Sequence, residues 1–223
     1  MTTVNANFDI SDQAQVARAP HGGFRKRAFD LIAASLLLLL FLPLMFFIGI
    51  IMYSMEGGDI FFAHNRVGYR GRSFRCFKFR SMVLNAEAAL ARHLQENPAA
   101  RQEWEATQKL RDDPRVTPLG RFLRATSLDE LPQLFNVVAG DMSLVGPRPI
   151  VQNEIARYGA YFEDYASARP GLTGLWQVSG RSDVDYEKRV ELDRSYVTAW
   201  SLSGDLMILL RTVKVVFSRV GSY

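Results

Sequence analysis

The stretch LIAASLLLLLFLPLMFFIGIIMYSM, residues 31–55, runs for 25 residues without a charged side chain. A straight helix of this length extends roughly 37 Å, whereas the hydrocarbon core of a bilayer is about 30 Å thick. A signal peptide has a shorter apolar segment and a cleavage site of small residues, and the MEGGDI that follows offers no such site. The stretch therefore predicts a membrane-embedded helix.

Two features bear on how this helix enters the membrane. Pro43 lies at its centre, where it removes a backbone donor and clashes with the carbonyl of Leu39, so each half reaches only about 18 Å. Basic residues also flank the stretch on both sides, at 25–27 and 66–80, and the positive-inside rule then places both flanks in the cytoplasm. A re-entrant helix-break-helix satisfies that rule. A proline-kinked helix that spans the bilayer remains an alternative, because the acidic residues Glu56 and Asp59 precede the second basic group.

The charge of the chain is concentrated in one segment. Over 223 residues the net charge is +4, which is too small to indicate a nucleic-acid partner. Residues 60–86, however, contain no acidic residue and six basic ones: Arg66, Arg70, Arg72, Arg75, Lys78 and Arg80. This segment is expected to attract phosphate groups of lipids, nucleotides or nucleic acid. The single cysteine, Cys76, excludes an internal disulfide, and the three histidines lack metal-ligand spacing.

The remaining patterns predict an α+β fold, mostly helical with a short β element. The segment SFRCFKFRSM alternates as a strand does, which places Lys78 and Arg80 on one face. Residues 86–110 predict two helices joined at Asn97-Pro98, and Thr117-Pro118 starts another.

The C-terminal half predicts loops and short strands at 169–181 and a helix at 184–200. Residues 205–220 fit an amphipathic surface helix or a core-packing helix equally well. We therefore expect a disordered lead-in at 1–24, a membrane helix at 25–58 and a folded domain at 59–223.

Two adjacent carboxylates stand in SLDELPQLFNVVAGDMSLVGPRP, residues 127–149. Ser127 and Glu130 have the spacing of a capping box, and Gly140 ends the predicted helix. The expected buried stripe of this helix consists of Leu128, Leu131, Phe135 and Val138. This pattern alone is ordinary helix design.

The polar face of the same helix points to chemistry. Asp129, Gln133 and Asn136 share that face, and an ionised carboxylate at a phosphate-binding cleft can act as a nucleophile. Arg124 lies one turn earlier, and Arg148 stands between Pro147 and Pro149, whose fixed φ angles make the arginine a rigid anion clamp.

Several motifs together resemble a known family. KRAFDL, KFRSM, the stretch at 127–149, RPGLTGLWQVSGR and ELDRSYV follow the apolar run in this order. They resemble the bacterial sugar transferases that are monotopic polyprenyl-phosphate phosphoglycosyl transferases, over about residues 24–223. NPAARQEWEATQKLRDDPRVT and the terminal GSY resemble the ExoY-type galactosyl-1-phosphate transferases, which initiate exopolysaccharide synthesis.

The resemblance implies a re-entrant helix and a protein on the cytoplasmic face of the bacterial inner membrane. It implies transfer of a hexose 1-phosphate, galactose first and glucose next, from a UDP-sugar to undecaprenyl phosphate, with release of UMP. The implied nucleophile is Asp129, and the implied Mg²⁺ ligands are Glu130 and Asp193. Further implied catalytic residues are Lys78 and Arg124, and the implied substrate-binding residues are Arg80, Pro147, Arg148, Pro149, Arg181 and Asp193.

Two other functions compete with the transferase hypothesis: a membrane-tethered basic module that binds nucleic acid, and a membrane scaffold without chemistry. With a transferase as the hypothesis we expect membrane lipids as partners and no nucleic acid. The sequence leaves open whether the chain forms a homo-oligomer.

Overall fold

One long apolar helix and a small α+β body make up residues 20–107, 110–180 and 185–218, the part of the chain that the computed structural model describes. The α+β class predicted from the sequence is confirmed. Most of the predicted lead-in, residues 1–19, and the predicted substrate ligand Arg181 lie outside the described residues.

The apolar stretch forms helix α1, Gly23–Glu56, which begins two residues before the predicted segment. The helix is continuous through Pro43, and the re-entrant path expected from the sequence stays a prediction. It has the length and composition to cross a membrane, and only 17% of its most apolar window is buried. A core helix would be mostly buried, so α1 presents a broad apolar surface to its surroundings. The large apolar side chains on that surface include Leu36, Leu39, Leu40, Phe46, Phe47 and Ile51.

The β structure consists of two small sheets. Strands β1, Phe61–Val67, and β2, Ser73–Phe79, form an antiparallel hairpin in which Phe62 faces Lys78. Strands β3, Ser143–Val145, and β4, Gly171–Thr173, pair in parallel. Strand β2 lies within the segment predicted from its alternation.

Helices surround these sheets in chain order. They are α2, Ala86–Glu96; α3, Pro98–Thr107; α4, Pro118–Ala125; α5, Gln133–Ala139; α6, Ile155–Tyr158; α7, Phe162–Ala166; α8, Tyr186–Thr198; and α9, Leu202–Ser218. Both predicted start signals are confirmed. The Asn97 side chain accepts a hydrogen bond from the backbone N–H of Ala100, and the Thr117 hydroxyl accepts one from Gly120.

The body packs against both halves of α1. Ala34, in the first half, belongs to a core cluster with Leu134 of α5 and Val145 of β3. Met45, Ile48 and Met52, in the second half, pack with Phe79 of β2 and Leu123 of α4. The protein therefore contacts α1 near both of its ends.

Buried polar contacts fix the N-terminal end of α1. The Lys26 ammonium donates to the Asp205 carboxylate at 2.7 Å, and both side chains are almost inaccessible to solvent. Asp205 also accepts from the indole N–H of Trp200, and Asp30 accepts from the backbone N–H of Leu144. The KRAFDL motif thus ties α1 to the C-terminal helix α9 and to β3.

Candidate active site

The Asp-Glu pair lies on a tight turn between α4 and α5. Ser127 has φ 56° in the left-handed region, and Leu128–Glu130 forms one turn of 3₁₀ helix. The predicted capping box is wrong, because the Ser127 side chain makes no capping hydrogen bond. A non-glycine residue at positive φ costs about 1–3 kcal/mol and is concentrated at functional sites.

The buried face of α5 also differs from the prediction. Leu134 and Val137 are buried, whereas Phe135 and Val138 are exposed, because the helix begins after Pro132 rather than at Leu128. Asn136 turns inward with them. Its side-chain N–H donates to the Arg75 carbonyl at 2.7 Å, and its carbonyl accepts from the Phe77 N–H at 3.0 Å. This amide sets α5 against β2 and brings the Asp-Glu turn to the end of that strand.

Lys78 of β2 contacts both carboxylates. Its Nζ donates to Oε1 of Glu130 at 2.6 Å and lies 3.8 Å from Oδ2 of Asp129. Asp129 is 7% exposed. Burial raises the pKa of Asp129 to about 6, although the Lys78 charge opposes that rise. The carboxylate is thus ionised near neutral pH and poorly solvated, as a nucleophile requires.

Arg124 of α4 completes the group around Asp129. Its Nε donates to the Ser81 hydroxyl at 2.8 Å. Like the Lys78 charge, its positive charge opposes the rise that burial causes in the pKa of Asp129. The structure therefore brings together four of the predicted catalytic residues: Lys78, Arg124, Asp129 and Glu130.

A cleft opens in front of Lys78 and Glu130. The charged residues that line it are Arg66, Lys78, Glu130 and Arg148, and two glutamines, Gln133 and Gln177, also face it. Arg66 donates to the Pro149 carbonyl at 3.3 Å, and burial and the Arg148 charge lower its pKa. With three cations and one carboxylate, the cleft is suited to a diphosphate.

Arg148 is held from behind by aromatic and acidic groups. Its guanidinium lies over the Trp176 ring at 5.6 Å, and the Asp193 carboxylate interacts with the backbone and the charge of Arg148. Asp193 is 2% exposed and accepts a hydrogen bond from the Tyr158 hydroxyl at 2.8 Å. Burial raises the pKa of Asp193 to about 7, and the Tyr158 hydrogen bond and the Arg148 charge oppose the rise.

Comparison with known proteins identifies the family of this chain. Residues 21–219 match the family model described as Bacterial sugar transferase. This chain belongs to the bacterial sugar transferase family.

Three relatives are similar to the transferase over most of its length. It is 47% identical over 221 residues to the exopolysaccharide production protein ExoY of Rhizobium meliloti, covering 99% of this chain and 97% of that protein. It is 52% identical over 200 residues to the undecaprenyl-phosphate galactose phosphotransferase of Salmonella typhimurium, covering 90% of this chain but 42% of that longer protein. It is 40% identical over 207 residues to the UDP-glucose:undecaprenyl-phosphate glucose-1-phosphate transferase of Caulobacter vibrioides, covering 89% and 72%.

The predicted metal ligands of the transferase do not lie together in one site. Asp193 is buried behind Arg148 and does not line the cleft, whereas Glu130 does. In the described part of the chain, no cluster of three or more His, Cys, Asp or Glu residues is placed to hold a metal. Mg²⁺ needs only one or two carboxylates when substrate phosphates supply the other ligands. The adjacent Asp129 and Glu130 fit that requirement, and Asp193 does not.

Arg80 also occupies a different place from the one predicted. It shares a face with Lys78, but its guanidinium donates to the Gly57 carbonyl at 2.5 Å and lines a separate pocket. The reason is that the backbone pairing of the hairpin extends one residue beyond both strands, where the Arg80 N–H donates to the Ile60 carbonyl, so Arg80 reaches the end of α1.

Two cleft residues of the transferase were not singled out as site residues from the sequence. Arg66 was one of six cations in a basic run, and Gln177 lies in RPGLTGLWQVSGR without a charge to mark it. The pairing of β3 with β4 places the segment after β4, which contains Gln177, at the wall of the cleft. The acid-free run at 60–86 was the available signal for Arg66.

Proposed function

We propose that the transferase moves a hexose 1-phosphate from a UDP-sugar to undecaprenyl phosphate and releases UMP, the step that starts assembly of an exopolysaccharide repeat unit. The observation that carries the proposal is the buried Asp129 carboxylate, which lies 3.8 Å from Lys78, one of the three cations that line the cleft. The names of the relatives from Salmonella and Caulobacter support a sugar phosphate as the group and a polyprenyl phosphate as the acceptor. Galactose is favoured over glucose as the sugar, since the ExoY and galactose relatives are the more similar.

In the first displacement, an Asp129 oxygen attacks the phosphorus that bears the sugar. The bond from that phosphorus to the bridging oxygen breaks, and UMP leaves with the electron pair. Lys78 holds the attacking carboxylate, and Arg66 and Arg148 neutralise charge on the diphosphate. The product is an aspartyl phosphosugar on the enzyme.

In the second displacement, an oxygen of the lipid phosphate attacks the same phosphorus. The bond between that phosphorus and the Asp129 oxygen breaks, which regenerates the carboxylate and forms a diphosphate between lipid and sugar. Arg124 lies beside Asp129 to balance charge in this step.

Glu130, with Asp129 beside it, is the proposed Mg²⁺ site, where the cation would neutralise phosphate charge. The role proposed for Asp193 is to set the position of Arg148, because it is buried beneath that residue.

The test of this function is a screen for UMP release from UDP-galactose, UDP-glucose and their N-acetyl derivatives, with and without undecaprenyl phosphate. We expect stoichiometric UMP release without acceptor and continuous turnover with it, fastest for UDP-galactose and dependent on Mg²⁺. Absence of UMP with every donor would contradict the function and favour a membrane-tethered binding or scaffold module.

We also propose that α1 is re-entrant and that the body lies on the cytoplasmic face of the bacterial cell membrane. Lys26 near one end of α1 is ion-paired with Asp205, and the carbonyl of Gly57 just after the other end accepts from Arg80. A helix that crossed the bilayer would place these two points on opposite sides. One polar body can hold both only if they lie on the same side, and the flanking basic residues favour the cytoplasmic side.

Cysteine labelling in intact cells tests this topology. In a Cys76→Ser background, single cysteines at the exposed positions Phe24 and Asp59 should both resist a membrane-impermeant maleimide until the membrane is opened. Labelling of either position from the periplasm would contradict the re-entrant path. A cysteine introduced into a known periplasmic protein of the same cells controls for reagent access.

A further inference from the structure

A second pocket lies where α1 ends and the body begins. Its polar lining comes from Glu56, Arg80, Asn85 and Thr117, and its apolar lining comes from Val83 and Leu84. It shares no lining residue with the cleft in front of Lys78.

Arg80 is the unusual residue of this pocket. It is 8% exposed, donates from Nη2 to Gly57, and lies 3.7 Å from Glu56. Its Nε and Nη1 are buried without any hydrogen-bond partner, and so is Oε2 of Glu56. Buried donors are nearly always satisfied, and a guanidinium offers five N–H groups in a geometry that suits phosphate. The unsatisfied donors therefore point to an anionic ligand.

The Glu56 carboxylate interacts only weakly with the Arg80 guanidinium. It lies in the last residue of α1, where the helix dipole disfavours a negative charge. Its distance of 3.7 Å from Arg80 is also longer than that of a charge-assisted hydrogen bond. A phosphate can therefore displace the Glu56 carboxylate from the Arg80 guanidinium.

The rim of the pocket is apolar. Leu84 is 63% exposed, and Val83 beside it is also exposed. The nearby ends of α1 and β1 add exposed Met55 and Phe61. A free phosphate gains nothing from such a rim, whereas a phosphate monoester on an apolar chain buries that chain against it.

Neighbouring residues connect the pocket to the group around Asp129. Lys78 and Arg80 project from the same face of one extended chain, about 7 Å apart at their Cα atoms. Arg124, whose charge acts on Asp129, donates to Ser81, the residue next to Arg80. Arg80 and Ser81 therefore connect the wall of the pocket to the group around Asp129.

We propose that this pocket, centred on Arg80, binds the phosphate of the acceptor lipid before the second displacement. The proposal rests on the proposed function for the identity of the acceptor. It assigns the donor diphosphate to the cleft of Arg66, Lys78 and Arg148, and the lipid phosphate to the pocket at the end of α1.

Equilibrium binding of farnesyl phosphate, farnesol and inorganic phosphate to the full chain in detergent tests the assignment without relying on turnover. Farnesyl phosphate should bind more tightly than either of the others. Arg80→Gln should weaken its binding about tenfold. Asn85→Asp, which adds a negative charge at an exposed position, should weaken it about threefold. Glu56→Gln should strengthen it, because the competing carboxylate is removed.

Two matched controls are Arg72→Gln and Asn65→Asp, which change exposed residues outside both pockets. Both should bind farnesyl phosphate as the wild type does. In turnover assays, Asn85→Asp should raise the KM for undecaprenyl phosphate, while the size of the UMP burst without acceptor stays that of the wild type.

Each result bears on the assignment. Equal affinity for inorganic phosphate and farnesyl phosphate would overturn the lipid assignment and leave a simple anion site. Unchanged binding in both Arg80→Gln and Asn85→Asp would overturn the site itself, and Asn85→Asp guards against misfolding of the buried Arg80 variant. A wild type that binds farnesyl phosphate through Arg80 but releases no UMP would contradict the proposed function and leave the pocket assigned.

Discussion

Replacing Asp129 by asparagine is expected to abolish UMP release, with a loss of turnover of at least about 10³-fold. The amide has nearly the shape of the carboxylate but cannot form the aspartyl phosphosugar. In the wild type, incubation with UDP-galactose and Mg²⁺ should add one hexose phosphate to the peptide containing Asp129, as measured by mass spectrometry. The variant should show neither the burst nor the added mass. A near-normal rate in Asp129→Asn would indicate direct attack by the lipid phosphate in a ternary complex.

Stability measurements separate this loss of chemistry from a loss of fold. Burial raises the pKa of Asp129 to about 6 from its ordinary 3.8, so the folded state holds the proton more tightly than the unfolded state. The stability that Asp129 provides is therefore full below about pH 4 and is lost as pH rises through about 6. Asp129→Asn should match the wild type at low pH and be more stable above pH 7, by about 2–3 kcal/mol. A variant less stable than the wild type at pH 7.5 would contradict this electrostatic account.

Lys26→Met should destabilise the protein by about 3–5 kcal/mol, because it leaves the Asp205 carboxylate buried without its cation. The pair is 2.7 Å apart, with side-chain exposures of 8% and 0%, so neither partner can regain water without opening the contact between α1 and α9. Chemical denaturation in detergent, followed by tryptophan fluorescence, measures the change. Trp200, which donates to Asp205, is a local reporter.

The matched control for that experiment is Lys188→Met, which breaks an ion pair with Glu191 in which both side chains are more than half exposed. It should change the free energy of unfolding by less than about 1 kcal/mol. The double variant Lys26→Met/Asp205→Leu should recover only part of the loss, since Trp200 and Tyr196 also use Asp205 as an acceptor. Equal effects of Lys26→Met and Lys188→Met would mean that burial of the first pair adds nothing to stability.

Local signals in the sequence were sufficient for much of the fold. The uncharged stretch at 31–55 predicted α1, the alternation at 73–82 predicted β2, and the Asn-Pro and Thr-Pro pairs marked helix starts. These predictions hold because periodicity, hydropathy and capping depend on residues within a few positions of each other.

Around Asp129, the local sequence pattern predicted the wrong structure. The spacing of Ser127 and Glu130 fits a capping box, yet the turn there is set by packing. Asn136 must reach the backbone of β2, 59 to 61 residues earlier in the chain, and Leu134 and Val137 must fill the core. These distant contacts outweigh a cap worth about 1 kcal/mol.

The sequence by itself determined the long apolar helix and the α+β class. Its motifs also predicted the reactive group, because an Asp-Glu pair with Lys78, Arg124 and Arg148 is a matter of residue type and spacing. Only the tertiary structure decided which charged residues act together. In the folded protein, Lys78 contacts Asp129 and Glu130, Arg80 lies at the end of α1, and Asp193 is buried behind Arg148. The physical reason is that the burial and charge partners of a side chain depend on elements far apart in the chain, which residue spacing does not encode.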